Sequence, residues 1–470
     1  MYNPENQYRC TIIRGKSQSD MEDLLPLYAN TIDKYCPCEE SIFKASARNA
    51  ISKAIFSSVS YDSLSDSNKK TVDNHLTEIA GTLLGLYYSE IEEDGRTYIY
   101  ESDACKYLVE NNDFPTFFKN LCLNFQFPNG AKWIQYVQDD MSNSLNIRPF
   151  CYVIHLLYIA QEHKQKLAKQ EIGFYVLNSL DVLQGKVSCE EVFKCIMEDR
   201  KNGVKRDKLS GSHDWQHIKE QINLLELTNM VESDSTYLWL NNAESTAISI
   251  FIQNDNSIPF NCYDYPLDTN ENKKKFFCDW KRFYGRFNEE LRNIKTKFDT
   301  TIHIEDKDSL KHQSTSIKST IDLGDEGEAL VYRLEQERVR KYKERLVNKV
   351  LLLGKTKGLG YDISSIEANE NPQKPEFARY IEVKSTKRTT EPSFDNGWND
   401  SVNLTAKEWI AAEQYGKYYN IYRVYFTKKK TIIVRINDPF GKNDKGEIEV
   451  YPTIYQMNFC SNVIEIKYNE

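Results

Sequence analysis

The stretch that most constrains this 470-residue chain is Tyr380-Ile381-Glu382-Val383-Lys384-Ser385-Thr386. Its Ile, Val and Thr content predicts a buried strand. Side chains alternate across a strand, so Glu382 and Lys384 share one face while Ile381 and Val383 take the other. A carboxylate and an ammonium flanked by aliphatic residues are costly to bury unless they are paired or put to use. A structural ion pair or a solvated edge face would account for them, and so would a catalytic site.

The surrounding order sharpens the choice. Gly324-Asp325-Glu326-Gly327-Glu328 opens a predicted long helix with Leu330, Leu334, Tyr342, Leu346 and Val350 on or near one face. Glu328 lies in its first turn, where the helix dipole favours a carboxylate in any case. Gly360-Tyr361-Asp362-Ile363 then enters a strand, and 367–378 reads as a polar, proline-containing hairpin loop. After the Glu382 strand, Thr405 and Glu408 form a capping box that opens a helix to about Tyr415. Two further strands follow, Asn420–Phe426 and Thr431–Ile436. An isolated Glu-X-Lys triplet is weak. An acid-bearing helix, an Asp at a strand start, about twenty residues and then Glu-X-Lys in an apolar strand is a far stronger signal. Asp362 can approach Glu382, and two convergent carboxylates offer oxygen ligands for Mg²⁺. Such an ion would polarise a phosphoryl oxygen and acidify a bound water. Lys384 could orient or deprotonate that water, and Glu328 could complete the outer sphere or fix the lysine.

Residues 322–436 resemble the PD-(D/E)XK, restriction-endonuclease-like superfamily. Within it, Gly327-Glu328, Gly360-Tyr361-Asp362-Ile363 and Ile381-Glu382-Val383-Lys384-Ser385-Thr386 are similar to the C-terminal nuclease-like domain of the NO VEIN proteins. The resemblance implies that Asp362 and Glu382 hold Mg²⁺, with Mn²⁺ able to substitute. It implies that Lys384 assists the water and that Glu328 supports them. The motif's opening is shortened here, with Gly360-Tyr361 ahead of Asp362.

Upstream, 470 residues call for several domains. Hydrophobic residues at 40% and charged residues at 28% fit a folded globular protein. No apolar run is long enough to cross a bilayer, and Met-Tyr-Asn-Pro-Glu-Asn does not read as a secretory start. The eleven cysteines are scattered, which suits reduced cytosolic thiols. Cys36-Pro37-Cys38 is at best half a zinc site, and no second pair or histidine spacing completes it. The net charge is −8, yet residues 321–470 hold 24 Lys and Arg against 23 Asp and Glu, so the acidic excess lies upstream.

Two upstream regions read as helices followed by a hairpin. In the first, Val72, Leu76, Ile79 and Leu83 recur at helical spacing, and strands flank Asp94-Gly95. Asp103 then suits a helix cap and Phe114-Pro115 a helix start. In the second, Pro149 starts a helix, Ile172, Val176 and Leu180 mark another, and Ser188 with Glu191 makes a capping box. Leu227–Val231 and Thr236–Leu240 form its expected hairpin. Helices with a hairpin wing outline a winged-helix domain. Lys201, Lys205, Arg206 and Lys208, in a basic loop of this region, are candidate DNA contacts. Residues 273–286 interleave cations with Phe276, Trp280 and Tyr284, which suits an amphipathic helix more than a phosphate track. Residues 299–320 are the linker candidate.

The expected fold is multi-domain α+β. Residues 1–148 form a helical, winged-helix-like recognition region and 149–254 a second such domain. A basic helix and linker span 255–320, and 321–470 form the α/β nuclease domain with a central mixed sheet. This architecture resembles the type IIS restriction endonucleases. The resemblance implies a site-specific endonuclease of double-stranded DNA, of restriction or phage-defence type, in the bacterial cytoplasm. Homodimerisation during cleavage and a companion DNA methyltransferase follow as expectations. A modification-dependent or nonspecific nuclease is an alternative within the class. A DNA-binding regulator with an inactive nuclease fold and an RNA-directed nuclease lie outside it. The intact Asp, Glu and Lys set speaks against the inactive fold.

Overall fold

The computed structural model describes residues 2–13, 15–56, 58–206, 212–294, 296, 298, 323–354, 356, 358–394 and 398–450. The expected linker at 299–320 and Lys208 lie outside the described residues. The chain divides into two compact units. The first holds the described residues within Met1–Leu330, Val383–Asn403 and Arg423–Val434, and the second those within Val331–Glu382, Leu404–Tyr422 and Arg435–Glu470.

The first unit repeats one local plan. Helix α1 (Gln18–Tyr35) is capped by Ser17, whose side chain accepts from the Asp20 amide. Strand β1 (Cys38–Glu39), helix α2 (Glu40–Ile55) and helix α3 (Asp66–Asn74) follow, the last running on as a π-helix, His75–Leu83. Strands β2 (Tyr87–Ile91) and β3 (Thr97–Glu101) then form the hairpin around Asp94-Gly95, with Gly95 at φ +78°. The three strands make a sheet in the order β1-β3-β2. The second copy runs from helix Pro149–Glu162 through β4 (Leu167–Ala168) and several helices to Ser212–Leu227. Strands β5 (Val231–Ser233) and β6 (Tyr237–Leu240) complete a sheet in the matching order β4-β6-β5.

Three local expectations are corrected. The cap before Cys105 is Ser102, whose hydroxyl accepts from the Cys105 amide, and Asp103 is already inside the helix. Ile172, Val176 and Leu180 do not share one helix. A π-turn at Gly173–Leu177, in which the Asn178 amide bonds to Gly173 O, separates two short helical pieces. The segment beginning at Leu227 is not all strand. Leu224, Leu225 and Leu227 extend the helix's buried face, and the strand begins at Val231 only after Asn229 turns the chain at φ +62°.

Aromatics fill this unit's core, with Tyr28, Phe43, Phe117, Phe118, Phe125, Phe127, Phe150 and Trp280 fully buried. In helix Asn270–Tyr284, Phe276 and Trp280 point into that core while Lys274, Lys275 and Arg282 stay exposed. This is the amphipathic packing its sequence suggests.

The five-stranded mixed sheet has the order β11-β10-β9-β8-β7. Its members are β7 (Leu351–Leu352), β8 (Ile363–Ile366), β9 (Ala378–Lys387), β10 (Tyr419–Phe426) and β11 (Thr431–Asn437). The division into units cuts β9 after Glu382 and β10 after Tyr422. Helix Ala406–Tyr415 connects β9 to β10, and their C-terminal ends meet where the Arg388 amide donates to Phe426 O at 2.9 Å. A helical crossover of this kind is what parallel neighbours require. Within the second unit, Ala411, Ala412, Tyr419 and Ile421 form a small core with Tyr361, Tyr380 and Tyr415 against it. No helix among the described residues is long and apolar enough to cross a membrane.

Candidate active site

Strands β8 and β9 are antiparallel, with Ile363 opposite Ile381, Ser364 opposite Tyr380 and Ser365 opposite Arg379. The paired register ends with Ile363 opposite Ile381, and Asp362 sits in the bend just before β8. Its amide donates to Ile381 O at 2.9 Å, which holds it beside the residue that precedes Glu382. On the other side, Asp362 O accepts from the Leu353 amide at 2.6 Å. Asp362 is therefore tied to both neighbouring chains at the mouth of the hairpin. Asp362 and Glu382 thus lie at the same end of the β8–β9 hairpin. Lys384 follows Glu382 on the same face, about 7 Å along the strand. Glu382 is buried at 4% exposure, whereas Asp362 and Lys384 are half-buried.

The turn before Asp362 depends on glycine. Gly360 has φ +74°, and a Cβ there would lie 2.5 Å from Lys407 O and 2.9 Å from the Ala411 side chain. Helix Ala406–Tyr415 thus rests directly on Gly360, and any side chain would push it away. Three tyrosines support the same corner. Tyr380 stacks on Tyr415 with ring centroids 3.7 Å apart, and Tyr361 lies 4.9 Å from Tyr380.

Tyr419 is a site residue that the sequence reading missed. It is fully buried, and its hydroxyl donates to Gly360 O at 2.8 Å. Burial first, then the negative charges of Glu382, Glu408 and Asp362, push its phenol pKa far up. The phenol therefore remains a neutral donor, and its field registers both carboxylates nearby. Its only sequence signal is its place at the start of an apolar strand.

Gly327, in the first turn of helix Leu323–Tyr342, lies against β9. A Cβ on it would fall 1.8 Å from Ser385 Oγ and 3.5 Å from Val383 Cγ1. The turn that carries Glu328 thus rests on the strand segment that carries Lys384, on the face of Val383 and Ser385.

The same face of β9, away from Glu382 and Lys384, holds a charge the sequence reading passed over. Arg379 is buried at 2% exposure and donates to Glu367 Oε1 at 3.1 Å and to both oxygens of Glu370 at 3.1 and 2.8 Å. Glu335, fully buried on helix Leu323–Tyr342, accepts from Arg338 and from the Tyr422 hydroxyl at 2.7 Å. Arg338 also donates to Glu367 O at 2.9 Å, and Arg435 to Glu370 Oε2 at 2.6 Å. This network fastens the 367–378 loop to the sheet.

The candidate DNA contacts of the first unit differ among themselves. Lys201 and Lys205 are exposed. Arg206 is half-buried and engaged by carboxylates: its Nε lies 2.5 Å from Asp199 Oδ2, and a terminal nitrogen donates to Glu5. Burial would raise the Asp199 pKa, but the bonds from Arg206 and Tyr175 hold it below the usual range. A phosphate would have to displace those partners. The structure also brings together His155, Cys189 and Asp255, which sequence spacing did not connect. Each already has a protein partner. His155 Nδ1 lies 2.5 Å from Asp255 Oδ2, Asn256 donates to Asp255 Oδ1 at 2.6 Å, and the Cys189 thiol donates to Tyr152 O at 3.6 Å.

A doubled helix-and-hairpin region ahead of a mixed sheet that carries Asp362, Glu382 and Lys384 is the arrangement of a restriction-endonuclease-related protein. Residues 2–281 match the family described as restriction endonuclease BpuJI, N-terminal. That match spans more than half of the chain, and the chain belongs to this family. Residues 327–436 match the C-terminal region of the protein NO VEIN. A solved structure of the BpuJ1 endonuclease binding domain, in complex with pyrene- and phenanthrene-modified DNA, is 40% identical with a TM-score of 0.56. The likeness covers 61% of this chain and 100% of that one. No curated protein matches.

Proposed function

We propose that the protein is a Mg²⁺-dependent, site-specific endonuclease of double-stranded DNA, of restriction or phage-defence type. The observation that supports this reading is the bond that ties the Asp362 amide to Ile381 O beside Glu382, with Lys384 next along the face of Glu382, in a chain whose upstream half is restriction-endonuclease-related. The donor set fits the ion, because two carboxylates converging from neighbouring strands are hard oxygen ligands. Asp362 and Glu382 would hold it, and when bound it supplies Lewis acidity at the scissile phosphate. Lys384 orients or deprotonates the attacking water and offsets the negative charge that grows on phosphorus oxygens. Glu328 comes from a helix turn seated on the Val383 and Ser385 face of β9, opposite that of Lys384, and is the candidate supporting carboxylate of the set. Tyr419 holds the Gly360 turn and so keeps Asp362 at the strand mouth.

Upstream, the two repeats have the helix, strand, helices and hairpin order of winged-helix domains, here 1–148 and 149–254, followed by a 255–320 connection and a 321–470 nuclease domain. Winged helices lay a helix in the major groove and a hairpin on the backbone. The DNA in the related binding-domain structure supports this role. Lys201 and Lys205 are the preferred phosphate contacts in the second repeat. Cutting both strands with one site per chain calls for two copies at the DNA. Such an enzyme would work in the bacterial cytoplasm beside a companion methyltransferase.

The test is incubation of the purified chain with plasmid and phage DNA in Mg²⁺ or Mn²⁺. Discrete fragments are the expected result, and Lys384→Ala is expected to bind DNA and not cut it. A smear would replace site-specific cutting with nonspecific cutting. Binding without cleavage by the wild-type chain, on modified and unmodified DNA alike, would leave only the regulatory reading.

A further inference from the structure

The strand that carries Glu382 and Lys384 does not end in a solvated loop. Its last residues and the segment after it are held by α1 and by the start of helix Phe114–Asn124, all within the first unit. Thr386 Oγ1 and the Lys387 amide both donate to Asn112 O at 3.0 Å, and Lys387 forms a parallel bridge with Asp113. Lys387 Nζ donates to Thr296 O at 3.0 Å and lies 3.2 Å from Glu326 Oε2.

Glu22 of α1 is fully buried and faces the next two residues. Its Oε1 accepts from the Thr389 amide at 2.7 Å and hydroxyl at 3.0 Å. Its Oε2 accepts from the Thr390 amide at 2.8 Å and hydroxyl at 2.6 Å. Asp23 Oδ1 accepts from Arg388 at 2.7 Å and from Trp398 Nε1 at 3.3 Å. Farther along, Asn399 donates to Ala54 O at the end of α2 at 3.0 Å, and Ser401 meets Asn30 of α1 at 3.0 Å.

A buried carboxylate is expensive, and four donors on one such group make a specific and rigid joint. The joint lies five and six residues beyond Lys384, in the bend that directly follows the end of β9 at Lys387. Sideways slack at that joint is passed along β9 to Lys384. A displacement of about 1 Å at a reacting group can cost about 100-fold in rate.

We propose that Glu22, with Asp23 beside it, is a positioning residue for Lys384: it locks the far end of β9 to α1, so that the state of the upstream DNA-reading repeat sets the geometry of the cleavage strand. This rests on the nuclease reading of Lys384.

The test uses the full chain and the plasmid cut in the preceding experiment. Glu22→Gln keeps the shape but turns one acceptor into a donor facing donors. Thr390→Val removes one hydroxyl, and Thr390→Ser restores it. Both disruptive variants are expected to bind DNA within about twofold of wild type. Their single-turnover cleavage at saturating protein is expected to fall about 10- to 100-fold. Thr390→Ser should cut at nearly the wild-type rate. Amide exchange of 383–390 in the uncut complex, with Ca²⁺ present, gives a readout independent of cleavage. DNA should slow exchange there in the wild type and not in Glu22→Gln. Wild-type cleavage rates in both variants would overturn the proposal, as would losses of DNA binding and melting temperature in step with cleavage. So would exchange at 383–390 that ignores DNA. Cutting by Lys384→Ala would instead defeat the nuclease reading, and the exchange result would still stand.

Discussion

The two faces of β9 treat charge in opposite ways. On one, Arg379 is matched by Glu367, Glu370 and Glu335, while Arg338 and Arg435 share the remaining carboxylate oxygens. Cations and anions alternate there. On the other, Glu382 is followed by Lys384, the Asp362 amide is tied to Ile381 O next to Glu382, and Tyr419 is buried near both carboxylates. The first face is how a sheet secures a loop. The second gathers two carboxylates and a lysine, the set proposed above to hold a cation. The contrast separates structural charge from chemical charge within ten residues of one strand.

Substitution on the two faces should therefore separate activity from stability. The largest effect belongs to the carboxylate face. Lys384→Ala is expected to lower single-turnover DNA cleavage by about 10²–10⁴-fold and to leave the urea midpoint near wild type. Cleavage within a few-fold of wild type would remove Lys384 from the chemistry. Arg379→Ala is expected to do the reverse. It strips a buried cation from three carboxylates, and loss of one partner of such a group costs about 3 kcal/mol. Chemical denaturation followed by tyrosine and tryptophan signals measures this. A change below about 1 kcal/mol would mean that Arg338 and Arg435 can carry the network alone.

What the sequence made legible follows from the range of each interaction. The capping boxes at Ser188 with Glu191 and Thr405 with Glu408 are three-residue signals, and both close as read, each with reciprocal bonds. Alternation along β9 is equally local, so the shared face of Glu382 and Lys384 needed only a strand. The β8–β9 hairpin that brings the Asp362 amide to Ile381 O needed only two recognisable strands. Glu335 and Tyr422 are 87 residues apart and Glu22 and Thr389 are 367 apart, and no local period announces such partners. Arg379 lies one residue ahead of the strand as read, and its burial depends on carboxylates that looked like ordinary loop residues. Asp103 misled because any of three successive residues could cap that helix, and Ser102 has the extended backbone a cap requires.

A milder change probes the carboxylate face without emptying it. Glu382→Gln keeps the volume and removes one of the two neighbouring charges. Millimolar Mg²⁺ should raise the melting temperature of the wild type and not of the variant, because a ligand stabilises only the form that binds it. An equal Mg²⁺ response in both would place the ion elsewhere.

The smallest expected effect concerns acid. Burial alone would raise the Glu370 pKa, but the guanidinium groups of Arg379 and Arg435 outweigh it and hold the carboxyl at about 2. A carboxyl depressed on folding contributes stability above its unfolded pKa of about 4.3 and loses it as pH falls toward its folded value. The wild-type chain should therefore lose stability progressively between about pH 5 and pH 2. In Arg379→Ala the depression of Glu370 is expected to shrink, and that acid slope with it. Unfolding midpoints across this range in both chains give the difference. Equal slopes would show that Arg435 alone sets the Glu370 titration, and would confine the structural role of Arg379 to its bonds with Glu367 and Glu335.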